Sequence, residues 1–356
     1  MSNWPDRRVA DLFGIEHPIL LAPMAGFGTP ALAIAVAEAG GLGALPSATV
    51  TPEQARADLA AFRAATARPI NLNFFCHVSP EPDPAREAAW RERLAPYYRE
   101  LDLDPAMPLV PSVREPFNDA FCAVVEALRP EVVSFHFGLP ERRLVDRVKA
   151  TGARVIASAT TVAEARWLEA EGCDAIIAQG AEAGGHRGMF LTEDVAGQLG
   201  TFALVPQVAD AVRVPVIAAG GIADARGVVA ALALGAAAVQ IGTAFLFAPE
   251  ARVSPPHRRA LETAEADRTA MTNVFTGRPA RGVINRLMRD LGPLSPWAPA
   301  FPLAGGALAP LRAATEPAGS GDFMPLWSGQ AARLAKPMPA GEFVRTLAAE
   351  ALARLG

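Results

Sequence analysis

The feature that most constrains the fold of this chain is an alternation between short apolar runs and segments of helical pattern, repeated eight times before residue 242. The apolar runs are Pro18–Pro23, Leu42–Pro46, Pro69–Phe75, Val132–His136, Arg154–Ser158, Asp174–Gln179, Val214–Ala219 and Ala237–Ile241. Nearly continuous apolar runs, rather than alternating ones, are typical of parallel strands that are covered on both faces. The eight repeats predict an α/β fold, a closed (β/α)8 TIM barrel.

Segments with helical start and stop signals separate the apolar runs. Helical segments are predicted at Pro30–Ala39, Pro52–Ala65, Phe117–Leu128, Glu141–Ala150, Thr161–Glu171, Leu204–Ala211 and Asp224–Leu234, and a third strand–helix pair is expected to be complete by residue 100. An open Rossmann sheet is the structural rival, but no G-x-G-x-x-G follows the first run. The glycines Gly41 and Gly43 lie after a helix and before a strand, which is typical of a helix C-terminus.

The pattern changes near residue 250, where prolines and short arginine-rich pieces such as Arg281–Asp290 replace the repeats. We expect residues 1–250 to form the barrel and 251–340 to form a mainly helical, proline-rich subdomain near the barrel mouth. Residues 341–356 are expected to form a C-terminal helix.

Composition excludes several classes of partner. The chain carries 33 Lys and Arg against 37 Asp and Glu, interspersed, so no basic stripe points to nucleic acid. No uninterrupted apolar stretch is long enough to predict a membrane span. The three cysteines have no metal-ligand spacing and fit a reducing, cytoplasmic setting; no metal is expected. The sequence gives no indication of the oligomeric state.

Glycines follow the seventh and eighth strands, where barrels often bind a ligand phosphate. Gly220 and Gly221 come between a strand and a helix, and Gln240, Gly242 and Thr243 repeat the arrangement at the next strand. Backbone N–H groups beside a helix N-terminus form an anion cradle. The alternative is that these glycines only permit tight turns; the agreement of two adjacent turns favours the phosphate site.

A histidine stands on an unusually bare loop after the sixth strand, in the sequence AQGAEAGGHRG of residues 178–188. His186 follows a run of mostly glycine and alanine and precedes Arg187, which could favour anions. Strand ends are where barrels place their ligands, so His186 is the candidate catalytic residue. His136, at the end of the fourth strand, is either a substrate contact or an interior histidine, with equal weight.

The sequence resembles the nitronate monooxygenases, formerly called 2-nitropropane dioxygenases, in their class I branch. The resemblance covers nearly the whole chain and is carried by PILLAPMAG, AEAGGLGAL, INLNFF, VVSFHFG, AQGAEAGGHRG, the stretch from VPVIAAGGIADARG to AAAVQIGTAFL, FTGRPARGVINRLM and LWSGQ. It implies FMN as cofactor, and the match through strands seven and eight is shared with other FMN barrels.

The resemblance also implies roles for residues. The FMN phosphate would lie on Gly220, Gly221, Gly242 and Thr243, with Gln240 nearby. The flavin ring would meet the backbone at Pro23, Met24 and Ala25, and would bond Asn73 and Gln179. Asn73 is preferred over Asn71 because it lies nearer to the barrel mouth. Gly184 and Gly185 would allow a close approach of the flavin, His186 would stand on the substrate side, and His136 and Arg187 would contact substrate.

The implied activity is oxidation of alkyl nitronates, or of nitroalkanes, by dioxygen to carbonyl compounds and nitrite. In it, His186 would act either as a general base or as an electrostatic partner of the anion. An NAD(P)H:quinone or enoyl-acyl carrier protein reductase on the same FMN barrel is one alternative. A non-redox barrel that binds a phosphorylated ligand is the other.

Overall fold

Eight parallel strands form the centre of the molecule in the computed structural model, which describes residues 4–109 and 114–356. The strands in chain order are β1 (Ile19–Leu21), β2 (Gly43–Pro46), β3 (Ile70–Phe75), β4 (Val132–His136), β5 (Arg154–Ala159), β6 (Ala175–Gln179), β7 (Gly185–His186), β8 (Val216–Ala219), β9 (Ala238–Ile241), β10 (Thr269–Thr272) and β11 (Ala280–Val283). The order β1-β9-β8-β6-β5-β4-β3-β2, closed by a parallel bridge between Leu20 and Leu42, makes a barrel. The predicted barrel is confirmed, and all eight predicted strands lie within two residues of the observed ones.

Helices surround the barrel. In chain order they are α1 (Arg8–Phe13), α2 (Pro30–Glu38), α3 (Pro52–Ala65), α4 (Pro84–Glu100), α5 (Asp119–Leu128), α6 (Arg142–Ala150), α7 (Val162–Ala170), α8 (Thr201–Ala211), α9 (Ala225–Ala233), α10 (Pro255–Glu262), α11 (Arg286–Leu291), α12 (Ala309–Thr315) and α13 (Ala340–Leu355). The C-terminal helix α13 buries Val344, Leu347 and Ala351 and packs against both α9 and α2. It therefore completes the helical ring behind β9.

Helix α4 lies outside this ring, although the sequence suggested a complete strand–helix pair by residue 100. Its Trp90 and Tyr98 belong to a hydrophobic cluster with Phe275 and Leu308 from the segment beyond residue 250. The indole of Trp90 donates a hydrogen bond to the carbonyl of Ala304 at 3.2 Å. Helix α5, which packs on α3 and α6, takes the ring position after β3.

The segment between β9 and α13 contains strands as well as helices. Antiparallel β10 and β11 pair with each other, and β11 also pairs with the two-residue strand β7. The predicted helical piece Arg281–Asp290 is wrong in its first half, because residues 280–283 are a buried strand. The side chain of Asn285 accepts a hydrogen bond from the Met288 backbone, so α11 begins only at Arg286.

The two ends of the barrel differ in how they are filled. Near the amino ends of the strands, a cluster of fully buried side chains that includes Leu20, Val132, Ile156 and Ile217 closes the interior. The carboxyl ends open into a cavity, the position at which barrels bind ligands. Within the described ranges, no helix is long and apolar enough to cross a membrane.

Candidate active site

One cavity lies over the carboxyl ends of the barrel strands and encloses about 1240 Å³, including space open to solvent. It brings together every residue predicted for the site except Arg187. These residues are Pro23, Met24, Ala25, Asn73, His136, Gln179, Gly184, Gly185, His186, Gly220, Gly221, Gln240, Gly242 and Thr243. The segment beyond the barrel contributes Trp327, Gly329 and Ala331 to the same wall. Residues from both parts of the chain therefore form the site.

The glycine turn after β8 adopts a backbone that side chains rarely tolerate. Gly220 has φ +112° and Gly221 has φ +72°. A Cβ on Gly220 would lie 3.0 Å from both the Ala183 nitrogen and the Thr201 hydroxyl. The tight-turn interpretation therefore accounts for these glycines by itself, and the phosphate role stays a prediction.

A carboxylate that the sequence reasoning missed lies beside this turn. Glu182 lines the cavity, and its two oxygens accept hydrogen bonds from the Thr201 nitrogen at the start of α8 at 2.7 and 2.9 Å. The Thr201 hydroxyl donates to it as well, at 2.9 Å. A helix N-terminus stabilises a carboxylate, so the charge of Glu182 is partly offset there. It is the only acidic residue in AQGAEAGGHRG, which was the available signal.

The imidazole of His186 is held within an aromatic wall. Ring centroids lie 5.4 to 5.9 Å from that of His186 for Phe75, Phe137, Phe301 and Trp327. Burial lowers the pKa of His186 well below its usual value, and the neighbouring charge of Arg114 lowers it further. His186 is therefore neutral at neutral pH, with a lone pair that can accept a proton.

The position of that lone pair follows from the contact of His186 with Thr276. Nε2 of His186 is 3.0 Å from the Thr276 hydroxyl, which itself donates to the carbonyl of Arg278 at 3.4 Å. A hydroxyl has a single hydrogen; while that hydrogen points to the Arg278 carbonyl, the hydroxyl accepts from Nε2–H and the lone pair of His186 lies on Nδ1. Across residues 4–109 and 114–356, no protein atom hydrogen-bonds to Nδ1, which leaves it accessible to a ligand in the cavity.

His136 supports the loop that carries His186. Its Nε2 is 3.2 Å from the carbonyl of His186, and its Nδ1 is 3.1 Å from the Ser158 hydroxyl. Burial lowers the pKa of His136 to about 3, so the ring is neutral. Nε2–H must then donate to the carbonyl, and Ser158 donates to Nδ1. His136 both lines the cavity and fixes the backbone of the candidate catalytic residue.

Gln179 is also engaged by this loop. Its Nε2 donates to the His186 carbonyl at 3.0 Å, and its Oε1 accepts from the Gly188 nitrogen at 2.7 Å. The predicted contact of Gln179 with the flavin rim depends on the second hydrogen of Nε2. In the structure, the amide of Gln179 holds the loop of His186 over the end of β6.

Arg187 does not reach the cavity, so the structure does not support the predicted substrate contact. Its fully buried guanidinium donates to the carbonyls of Gly180 at 2.6 Å and Gln179 at 2.7 Å. It also bonds the amide oxygen of Gln198 at 2.8 Å. Successive side chains of an extended segment point to opposite faces, so Arg187 points away from the cavity that His186 faces. Its observed role is to close the turn after β6.

Backbone packing accounts for a glycine at position 184, where the resemblance implied room for the flavin. A Cβ there would lie 2.5 Å from the nitrogen of Gly329 and 2.6 Å from the carbonyl carbon of Ser328, so backbone packing requires this glycine. A Cβ on Gly185 would meet no atom of the described residues within 4 Å, although its φ of +71° favours glycine. Of the pair, Gly185 alone leaves open space for a ligand.

Asn71 and Asn73 lie on the same face of β3, two residues apart, with Leu72 on the opposite face in the outer core. Both side chains therefore face the barrel interior, and their depth along β3 distinguishes them. Asn73 lines the cavity and donates through Nδ2 to the Ser134 hydroxyl at 2.9 Å. Asn71 is buried deeper, below the cavity.

The cavity chemistry fits the FMN that the resemblance implies. Oε1 of Gln240 is buried and has no hydrogen-bond partner among the described residues, so it needs a donor such as a ribityl hydroxyl. The hydroxyl of Thr243 accepts from the Gly329 nitrogen at 2.9 Å and keeps its own hydrogen to donate. Gly185 leaves room at the backbone.

The sequence reasoning missed Arg114, Phe75 and Trp327, which line the cavity, and Thr276, which holds His186. Phe75 ends β3 and could have been found by its place at a strand end. LWSGQ and FTGRPARG were recognised as shared segments, but no residue in them was assigned a role. Arg114 stands in an irregular connection and had no local signal.

Comparisons with known proteins agree over nearly the full chain. A family model described as nitronate monooxygenase matches residues 6–350. A nitronate monooxygenase of Pseudomonas aeruginosa is 44% identical over 345 residues, which is 96% of this chain and 98% of the relative. One of Paraburkholderia phytofirmans is 44% identical over 346 residues, covering 97% and 94%.

Solved structures show the same similarity. A nitroalkane oxidase from Streptomyces ansochromogenes superposes with a TM-score of 0.89 at 40% identity, covering 98% of this chain and all of the other. FabK from Thermotoga maritima superposes with a TM-score of 0.74 at 30% identity, covering 99% and 98%.

The barrel, with glycine turns and a neutral histidine around one cavity at the carboxyl ends of its strands, defines a barrel enzyme that acts on a small molecule. The family model and the 44% identity over nearly the full length identify the family of this enzyme. The chain belongs to the nitronate monooxygenase family.

Proposed function

We propose that this protein uses FMN to oxidise alkyl nitronates, with dioxygen as oxidant, to carbonyl compounds and nitrite. The observation that carries the proposal is the accessible, neutral His186 in a cavity whose lining fits a flavin. The family supports it, since relatives at 44% identity are named nitronate monooxygenases. The cytoplasmic setting stays a prediction from the cysteine spacing.

The residues that would hold FMN are those of the cavity floor and its glycine turns. Gly220, Gly221, Gly242 and Thr243 would receive the phosphate, and Gln240 would accept from the ribityl chain. When bound, FMN would supply the redox chemistry that links oxidation of the substrate to dioxygen. The protein's part is to bind, to orient and to set the charge around the substrate.

His186 would have two tasks, depending on the substrate. With a neutral nitroalkane, Nδ1 would remove the α-proton, a role for which a neutral imidazole is suited. With a preformed nitronate there is no such proton, and the ring would serve to position the anion. The aromatic side chains around His186 would exclude water from its vicinity.

The test is anaerobic mixing of the purified flavin-containing protein with ethyl nitronate or with NADH. We expect ethyl nitronate to bleach the flavin absorbance and NADH to leave it. Bleaching by NADH alone would overturn the proposal and favour a reductase. A colourless protein that takes up no FMN would favour a non-redox barrel that binds a phosphorylated ligand.

A further inference from the structure

We propose that Arg114 forms an anion subsite that binds the two oxygens of the nitronate group and makes the protein selective for nitronates over neutral nitroalkanes. This inference rests on the proposed function for its substrate. The presence of an anion subsite at Arg114 can be tested without it.

Arg114 lies on the same wall of the cavity as the candidate catalytic residue. It lines the cavity, and its guanidinium carbon is 5.5 Å from the ring centroid of Phe301. The ring of Phe301 is in turn 5.4 Å from that of His186. A small ligand beside His186 is therefore within reach of the Arg114 side chain.

Within the part of the chain that the structure describes, no protein acceptor engages the guanidinium of Arg114. Over residues 4–109 and 114–356, it forms no ion pair and donates no hydrogen bond. It lies over the ring of Phe301 in a cation–π contact. The other arginines around the site are occupied. Arg187 bonds Gln198 and two carbonyls, and Arg281 donates to the Ala181 carbonyl at 2.7 Å.

The distribution of charge favours an anion at this end of the cavity. Among the described lining residues, Glu182 is the one carboxylate, and it is bound to Thr201 beside the β8 turn. Burial lowers the pKa of Arg114, since desolvation disfavours its charge. An arginine nevertheless stays charged, so an anion that pairs with it would restore the stabilisation lost on burial.

The geometry of a nitronate group matches that of the Arg114 guanidinium. A nitronate presents two oxygens in one plane, as a carboxylate does, and the guanidinium fork donates two parallel N–H bonds to such a pair. A neutral nitro group has the same shape but carries less charge on each oxygen. Binding to Arg114 therefore discriminates by charge, and a lysine would supply the charge without the fork.

The experiment compares Arg114→Met and Arg114→Lys with Arg93→Met. Arg93 is the matched control because it also lies over an aromatic ring, at 4.2 Å from the centroid of Trp297, but is exposed and outside the cavity lining. Nitrate, an unreactive planar oxyanion, is titrated into each flavin-containing protein and followed by the flavin absorbance. Steady-state constants are then measured with ethyl nitronate, and with nitroethane as substrate or as inhibitor. Flavin content and melting temperature verify folding.

We expect Arg114→Met to raise both the nitrate Kd and the KM for ethyl nitronate about tenfold or more, the usual scale for a charged hydrogen bond. Nitroethane binding should change much less, Arg114→Lys should be intermediate and Arg93→Met should match wild type. An unchanged nitrate Kd, or equal losses for nitronate and nitroethane, would overturn the inference. If wild type binds nitrate through Arg114 but oxidises no nitronate, the proposed function fails while the anion subsite stands.

Discussion

The imidazole of His186 and the hydroxyl of Thr276 are 3.0 Å apart, and this hydrogen bond joins the loop after β6 to the segment beyond the barrel. Thr276 is buried, with 4% of its surface exposed, between β10 and β11. Strand β7, which carries His186, pairs with β11 through Ala280. The orientation of the candidate catalytic ring is therefore set from outside the barrel.

Replacing Thr276 tests whether this contact positions His186. We expect Thr276→Val to lower kcat about five- to tenfold, since one hydrogen bond of about 1 kcal/mol no longer selects the ring orientation and tautomer. Thr276→Ser keeps the hydroxyl and should restore most of kcat. The pH profile of kcat/KM should shift in the valine variant alone, and equal behaviour of the two variants would contradict the assignment.

His186→Asn removes the nitrogen that can accept a proton and keeps a polar side chain. We expect turnover of a neutral nitroalkane to fall about a hundredfold or more, the usual scale for a general base. Turnover of a preformed nitronate should fall less, because no proton has to be removed. The FMN content should not change. Unchanged turnover with both substrates would exclude His186 from the mechanism.

What the sequence could predict depended on how local the signal was. The barrel strands and the glycine turn at Gly220 follow from patterns within a few residues, and both were located. Arg187 was misjudged because proximity in sequence to His186 was taken for proximity in space, whereas neighbours in extended backbone point apart.

The rest of the site depended on long-range packing. Thr276 lies 90 residues from its partner His186. Arg114 can be assigned to the site only from the structure, which places its guanidinium over the ring of Phe301. No periodicity or motif encodes such contacts, since they arise when the irregular segments fold over the barrel mouth. The side chains that the structure adds to the site therefore come mostly from outside the strand ends.

Gln240→Leu tests the fit of the cavity to FMN without a measurement of activity. Oε1 of Gln240, which has no partner among the described residues, destabilises the FMN-free protein, so its removal should leave the melting temperature of that form unchanged or higher. FMN should bind about fivefold or more weakly, because the acceptor is lost. Melting curves with and without added FMN would show a smaller FMN-dependent rise in Tm. The exposed Gln54→Leu serves as the control, and an undiminished rise in the Gln240 variant would contradict this role.

His257 makes the stability of the protein depend on pH. It is fully buried beneath the cavity wall, where its Nε2 donates to the Trp327 carbonyl at 3.0 Å and its Nδ1 has no partner among the described residues. Burial lowers its pKa from 6.5 to about 4, so between those values the unfolded chain binds the proton more readily than the folded one. The folded state therefore loses stability as the pH falls from 6.5 towards 4, and above 6.5 this histidine has no effect.

His257→Gln keeps a donor for the Trp327 carbonyl and removes the titration. Between about pH 7 and pH 5, we expect the free energy of unfolding of wild type to fall by about 1–2 kcal/mol more than that of the variant. Urea unfolding at the two pH values measures this difference. The other buried histidines are present in both proteins, so their contributions cancel. Equal losses in the two proteins would show that His257 is not held neutral by burial.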